Sequence, residues 1–112
     1  MAKLQALEVS EVGISSITLA ELEYGVSKSQ RQSKNRDALM QFLLPLEIVE
    51  FNQEAAIAYG NIRSNLESRG LVIGAMDMLI AAHALSLGVT LVSNNVREFS
   101  RINNLSLENW AK

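Results

Sequence analysis

The chain lacks cysteine and has very little proline, histidine or aromatic residue. Its 112 residues include no Cys, one Pro, one His and one Trp. The absence of Cys excludes disulfides, thiolate metal sites and cysteine nucleophiles, and it is typical of cytoplasmic proteins. No apolar run reaches the ~18 residues that cross a bilayer, and the charged first residues do not resemble a signal peptide. We therefore expect one small cytoplasmic domain without membrane contact.

The scarcity of these residues also excludes several kinds of active site. A single histidine cannot build a zinc site with two or three His ligands. No glycine-rich phosphate-binding motif is present, and no serine has a plausible His and Asp arrangement for acyl transfer. Aromatic residues make up 5% of the chain, so base-stacking platforms are not indicated. The remaining possibility is a metal site built from oxygen ligands.

The charge is nearly balanced, with one local exception. A formal net charge of −2 argues against nonspecific nucleic-acid binding by the whole surface. Residues 28–37 carry a local charge of +3, from Lys28, Arg31, Lys34, Arg36 and Asp37. This run predicts either a solvated helix end and turn or a surface that contacts phosphates.

Apolar residues alternate between strand-like and helix-like spacing along the chain. Short apolar stretches predict strands at residues 12–14, 46–51, 89–92 and 105–110, the second of them near a sheet edge. Helices are predicted after Ser15, at 35–44 before Pro45, at 53–69 before Gly70 and at 76–87 before Gly88. This alternation predicts an α/β fold with a short, mainly parallel sheet.

Two predicted helices have an apolar face that identifies candidate core residues. In the helix at 53–69 the face consists of Ala56, Tyr59, Ile62 and Leu66. In the helix at 76–87 it consists of Met76, Leu79, Ile80, His83, Ala84 and Leu87. We interpret His83 as a half-buried packing residue.

Three acids are candidates for a metal site. Glu21 follows the strand at 12–14, Asp77 opens the helix at 76–87, and Glu98 follows the strand at 89–92. Parallel strands bring such residues to one edge of a sheet, and converging carboxylates predict a site for Mg²⁺ or Mn²⁺. Each acid also has a structural interpretation. Glu21 suits a solvent-facing position, Asp77 suits a helix N-terminus, and Glu98 suits pairing with Arg97 or Arg101.

Segments around these acids resemble the motifs of PIN-domain ribonucleases, specifically the VapC-family toxins of type II toxin–antitoxin pairs. The segments are Ile14-Ser-Ser-Ile-Thr-Leu-Ala-Glu-Leu-Glu-Tyr-Gly25, Ile73-Gly-Ala-Met-Asp-Met-Leu-Ile-Ala-Ala-His-Ala84, Leu91-Val-Ser-Asn-Asn-Val-Arg-Glu-Phe99 and the closing Leu105-Ser-Leu-Glu-Asn-Trp110. The resemblance implies a PIN-like (Rossmann-like) three-layer α/β/α fold. It also implies cleavage of RNA, such as tRNA or another structured RNA, by two-metal phosphodiester hydrolysis with Mg²⁺ (or Mn²⁺).

The same resemblance implies residue roles and partners. Glu21, Asp77 and Glu98 would be the catalytic, metal-binding acids, and Ser93 and Asn95 would support the site. A VapB-like antitoxin, an RNA substrate and a second copy of the chain are the implied partners. We add the expectation that the basic run Lys28, Arg31, Lys34 and Arg36 contacts RNA phosphates.

One part of the family pattern is not found in this sequence. Family members open with a strand and helix that carry a motif like Leu-Asp-Thr-Asn, whose aspartate binds the metal, and neither Glu8 nor Glu11 follows an apolar strand. We therefore expect a domain that is truncated at its N-terminus, with a sheet that lacks its central strand and has two unpaired edges. Such a sheet predicts a dimer or larger assembly, with an N-terminal helix packed partly into the gap.

The missing motif leaves a second class of function open. Without the first aspartate, the chain would be a catalytically inactive PIN module that binds an antitoxin or another protein, because catalytic Mg²⁺ sites tolerate the loss of a ligand poorly. Mg²⁺-dependent nuclease activity of the purified chain would distinguish the two alternatives.

Overall fold

Five short strands form one parallel sheet. The computed structural model describes residues 3–4 and 12–109, and all structural statements below concern these residues. The strands are β1 (Lys3–Leu4), β2 (Val12–Ser15), β3 (Glu47–Val49), β4 (Thr90–Val92) and β5 (Leu107–Glu108). Their order is β3-β2-β1-β4-β5, and all four neighbouring pairs are parallel. The α/β class with a parallel sheet is confirmed.

The helices lie between the strands along the chain. They are α1 (Ser16–Lys28), α2 (Gln32–Leu43), α3 (Gln53–Ser68), α4 (Ala75–Leu87) and α5 (Val96–Phe99). The α2 helix begins three residues before the predicted position. The α5 helix was not predicted, because four residues are too few to show a helical period. No helix in the described part of the chain is long and apolar enough to span a bilayer.

The prediction that the sheet lacks a central strand is wrong. Lys3 and Leu4 form β1 in the middle of the sheet, where Lys3 pairs with Val12 and Thr90, and Leu4 with Gly13 and Leu91. A strand of two residues is too short to show the alternation of apolar and polar side chains, so it could not be recognised from the sequence. The predicted N-terminal helix is contradicted at these two residues, and the rest of it, with Glu8 and Glu11, lies outside the described residues.

The predicted strands were correct in place; β2 extends one residue beyond the predicted 12–14, and the other three are shorter than predicted. As predicted, β3 lies at an edge of the sheet, and β4 is buried along its whole length. The closing strand is limited to Leu107–Glu108, and Trp110 lies outside the described residues.

The core lies between α3, α4 and the sheet. Its buried members include Ile62, Leu66, Met78, Ile80, Ala81, Ala84, Leu91, Phe99 and Ile102. On α3, Ala55 is buried and the predicted Ala56 is exposed, while Tyr59 is half-buried. On α4, the predicted Met76 and Leu87 are 39% and 41% exposed, whereas the buried residues run almost continuously from 78 to 84. The middle of α4 is covered on several sides, so a single stripe does not describe it.

Candidate metal site

Two of the three predicted acids meet across one amide group. Asn95 Nδ2 donates to Asp77 Oδ2 at 3.2 Å and to Glu98 Oε1 at 2.9 Å. Because an amide nitrogen has two hydrogens, it can serve both carboxylates at once. Asp77, Asn95 and Glu98 are all half-buried. We call these three residues the carboxylate–amide cluster.

Local backbone structure brings the cluster together at the carboxyl end of β4. Asp77 is the third residue of α4, whose N-cap is Gly74. Ser93 directly follows β4, and its backbone N–H donates to the Glu108 carbonyl at 3.0 Å. The Ser93 hydroxyl accepts from the Asn95 N–H at 3.0 Å and thereby turns the chain into α5, which carries Glu98. The sheet therefore fixes Ser93, and Ser93 orients Asn95.

The electrostatics of the cluster disfavour negative charge on Asp77. Burial raises the pKa of the Asp77 carboxyl, the nearby charge of Glu98 raises it further, and the hydrogen bond from Asn95 lowers it in part. Two carboxylates that share one neutral donor are a site where an added positive charge is favourable.

The purely structural roles considered for Asp77 and Glu98 are observed only in part. Asp77 lies in the first turn of α4, where its charge complements the helix dipole, but the N-cap position belongs to Gly74. Within residues 3–4 and 12–109, the ion pairs are Arg36–Glu23 and Arg63–Glu67. Glu98 therefore has no ion pair with Arg97 or Arg101 there, and it binds Asn95 instead.

Glu21 is not gathered with the other two acids. It lies exposed near the middle of α1. In the described part of the chain, no group of three or more His, Asp or Glu side chains is close enough to hold a metal ion. The structure thus brings together Asp77, Glu98, Asn95 and Ser93 and leaves Glu21 apart from them.

Two of the four cations in the basic run contact side chains of α1, and the other two are exposed and form no ion pair within the described residues. Arg36 binds Glu23 of α1 at 2.7 Å, and this ion pair lowers the pKa of Glu23. The Lys28 ammonium lies 5.0 Å from the centre of the Tyr24 ring. Arg31 and Lys34 are exposed at the start of α2, and no ion pair within the described residues includes them. The run is therefore partly a structural link between α1 and α2.

His83 was misjudged from the sequence. It is fully buried, not half-buried, and its Nδ1 forms a hydrogen bond of 2.7 Å with the Ser15 hydroxyl. Burial lowers the pKa of His83, and a backbone interaction with Glu50 offsets part of that effect. Ser15 is equally buried, so this serine–histidine pair is not an accessible nucleophile. A polar residue in the most apolar helix indicates that a partner must exist, but spacing alone does not identify a partner 68 residues away.

Comparisons with known proteins identify the family of the chain. The PIN domain family matches residues 1–105. Ribonuclease VapC2 of Rickettsia felis is 52% identical over 101 residues, which cover 90% of this chain and 75% of that protein. The tRNA(fMet)-specific endonuclease VapC of Salmonella typhimurium is 42% identical over 93% of this chain and 79% of that protein.

Solved structures show the same fold. DNA-bound VapBC from Salmonella typhimurium aligns with a TM-score of 0.90 at 42% identity, over 92% of this chain and 78% of that one. The parallel α/β sheet, the acids at its carboxyl end and the level of identity point to one conclusion. The chain belongs to the PIN-domain family and, within it, to the VapC ribonucleases, the endoribonuclease toxins of toxin–antitoxin pairs.

Proposed function

We propose that the carboxylate–amide cluster is the metal-binding part of the ribonuclease site and that it takes Mg²⁺ (or Mn²⁺). The observation that carries this proposal is the Asn95 amide, which holds Asp77 and Glu98 together at 3.2 and 2.9 Å. PIN-domain ribonucleases depend on metal in general. The choice of Mg²⁺ rests on the donor set, since hard divalent cations prefer carboxylate and amide oxygens.

The residues present fit such an ion. Asp77 and Glu98 supply carboxylate oxygens, and the unfavourable environment of a charged Asp77 would be relieved by a cation between them. A bound divalent ion, or a pair of them, supplies an activated water and neutralises the leaving oxygen in phosphodiester hydrolysis. Ser93 and Asn95 would hold the acids in place through the hydrogen bonds described above. Glu21 enters this proposal on its sequence motif alone.

We propose a structured RNA, tRNA in particular, as the substrate. Two relatives, from Salmonella typhimurium and Shigella flexneri, are named tRNA(fMet)-specific endonucleases. Arg31 and Lys34 are the best candidates for phosphate contacts, because Lys28 lies over Tyr24 and Arg36 is paired with Glu23.

The RNA contact can be tested by salt dependence. Replacing both Arg31 and Lys34 with Gln should flatten the log–log slope of tRNA binding against salt by about 1.4–1.8, or 0.7–0.9 per lost contact. Arg36→Gln is the matched control, for which we expect a smaller change in slope. An unchanged slope in the double variant would contradict the phosphate contacts and support the alternative, in which residues 28–37 form a solvated helix end and turn.

We propose a VapB-like antitoxin as the protein partner and the cytoplasm as the location. The related solved complexes are VapBC assemblies, and the absence of Cys suits a reducing compartment. A homodimer remains a prediction. An open gap in the sheet does not support it, because β1 fills the central position.

The metal proposal is tested by calorimetry and cleavage on the same protein. The purified chain should bind Mn²⁺, and Asp77→Asn and Glu98→Gln should each weaken that binding by at least about 100-fold, the upper end for residues that merely support ligands. RNA cleavage should be lost in both variants. Unchanged metal binding in both would contradict the assignment.

A second candidate function follows from one observation. In the described part of the chain, Asp77 and Glu98 lie together without a third acid close enough to complete a metal site. Because catalytic Mg²⁺ sites tolerate the loss of a ligand poorly, this favours an inactive PIN module that binds an antitoxin or other protein. This alternative predicts a tight complex with a VapB-like antitoxin and no RNA cleavage at any Mg²⁺ concentration. Cleavage by the purified chain would eliminate it.

A further inference from the structure

Four residues outside the carboxylate–amide cluster form a closed set of contacts at the start of α1. The Ser15 hydroxyl and His83 Nδ1 are 2.7 Å apart. The His83 ring meets the Phe51 ring edge-on, with centroids at 5.5 Å and an interplanar angle of 73°. The Phe51 N–H donates to the Ser16 hydroxyl at 3.0 Å. Because Ser16 is the residue after Ser15, this bond completes the set. We call Ser15, Ser16, Phe51 and His83 the Ser15–His83 junction.

The hydrogen bond at the centre of the junction is shielded from water. Ser15 and His83 are both 0% exposed. The Ser15 hydroxyl also accepts from the Ile17 N–H at 3.1 Å and so caps α1. One hydroxyl thus fixes both the first turn of α1 and its attachment to α4. Buried hydrogen bonds of this kind are costly to break, because each partner left unpaired keeps its desolvation penalty.

The junction attaches α4, which carries Asp77, to the sheet. Ser15 is the last residue of β2, and His83 follows Asp77 by six residues along α4. Asn95 and Glu98 follow β4 of the same sheet. The placement of Asp77 relative to Asn95 and Glu98 therefore depends on how α4 is held against the sheet, and the Ser15–His83 hydrogen bond is part of that attachment.

We propose that Ser15 and His83 are positioning residues that hold α4 against the sheet, set the placement of Asp77 within the carboxylate–amide cluster and thereby the affinity of the site for divalent metal. This inference rests on the proposed metal site. Neither side chain contacts substrate or metal, because both are fully buried. Their effect is on the geometry of the acids and not on the chemical step.

The test measures metal binding in the absence of RNA. Calorimetric titration of the full chain with Mn²⁺ should show about tenfold weaker binding for Ser15→Ala and for His83→Phe, the lower end for residues that orient metal ligands. His83→Phe keeps a ring against Phe51 and removes the hydrogen bond. His83→Asn retains a polar atom near the Nδ1 position and should restore most of the affinity. RNA cleavage by Ser15→Ala should return to near the wild-type rate when the Mg²⁺ concentration is raised.

The matched control is Ser86→Ala. Its hydroxyl donates to the His83 backbone carbonyl at 2.8 Å, so this variant removes a hydrogen bond of similar length on the same helix and leaves the His83 side-chain contacts of the junction in place. Metal affinity should be unchanged in this variant. If His83→Phe does not fold, Ser15→Ala carries the test, since it removes a single oxygen atom.

Two failures are distinguishable. Wild-type affinity for Mn²⁺ in Ser15→Ala, with lower thermal stability, would show a purely structural junction and overturn this inference while leaving the metal site intact. Absence of Mn²⁺ binding in the folded wild-type chain would overturn the metal site and this inference together.

Discussion

At the residue scale, a single amide group holds the two acids of the proposed metal site together. Asn95 donates to both Asp77 and Glu98, and the Ser93 hydroxyl holds the Asn95 backbone in place. Asparagine suits this position because its amide offers two donors without adding charge. The two carboxylates are therefore close together at an electrostatic cost, which a cation bound at the proposed metal site would offset.

The first prediction concerns that cost. Asp77→Asn removes a carboxylate that burial and the Glu98 charge both disfavour, so in metal-free buffer at pH 7 the free energy of unfolding should rise. Urea denaturation measures this directly. Asp37→Asn, on the exposed surface of α2, should show no comparable gain. A less stable Asp77→Asn protein would show that Asp77 serves the fold and not a metal site.

The second prediction adds a charge. Asn95→Asp places a third carboxylate against two others, which should destabilise the metal-free protein by about 1–4 kcal/mol at contact distance. Saturating Mn²⁺ should recover most of this loss, because a ligand that binds only the folded state stabilises it. Asn95→Ala is the control, which loses the same two hydrogen bonds without gaining charge. Equal stability of Asn95→Asp and wild type without metal would be evidence against close contact of the three side chains.

At the scale of elements, α4 and its two ends determine where the site residues lie. Gly74 caps the start of α4 close to Asp77, His83 contacts Ser15 in the core, and Gly88 caps the end of the helix. Gly88 has φ 66°, a left-handed conformation that favours glycine. This end leads directly into Val89 and β4, whose last residue precedes Ser93.

Glycine substitutions test these helix ends. Gly88→Ala should cost about 1 kcal/mol in the free energy of unfolding, because its backbone conformation is unfavourable for alanine. Gly60→Ala, inside α3 with open space around the added Cβ, should instead stabilise by about 0.5–1 kcal/mol. Equal effects of the two substitutions in thermal denaturation would contradict the assigned end of α4.

The junction between α1 and α4 predicts a pH dependence of stability. Burial lowers the pKa of His83 in the folded state below its value of about 6.5 in the unfolded chain. The unfolded chain therefore binds the proton more readily, so the free energy of unfolding should fall as pH decreases below 6.5. His83→Phe should lack this component of the pH dependence. Identical slopes for wild type and His83→Phe between pH 7.5 and 5.5 would refute it.

At the scale of the whole molecule, the sequence predicted the class of fold and the proximity of Asp77 and Glu98, but the predicted convergence of Glu21 with them is not observed. Helical periods located α3 and α4, and the motif segments located Asp77, Ser93, Asn95 and Glu98. The sequence did not predict contacts between residues that are far apart along the chain, such as the Asn95–Asp77 and Ser15–His83 hydrogen bonds, because spacing along one element does not identify a partner on another. The two-residue β1 was missed because it is too short to show a pattern, and the resulting argument for a gap was wrong.

Metal-dependent RNA cleavage by this chain is the activity to which the proposed site and substrate both lead. The direct measurement is cleavage of tRNA by the purified 112-residue protein, in Mg²⁺ and in excess EDTA, with Asp77→Asn alongside. We predict cleavage in Mg²⁺, none in EDTA and none by Asp77→Asn. Cleavage that persists in EDTA or in Asp77→Asn, or the absence of cleavage by wild-type protein that binds the metal, would contradict it.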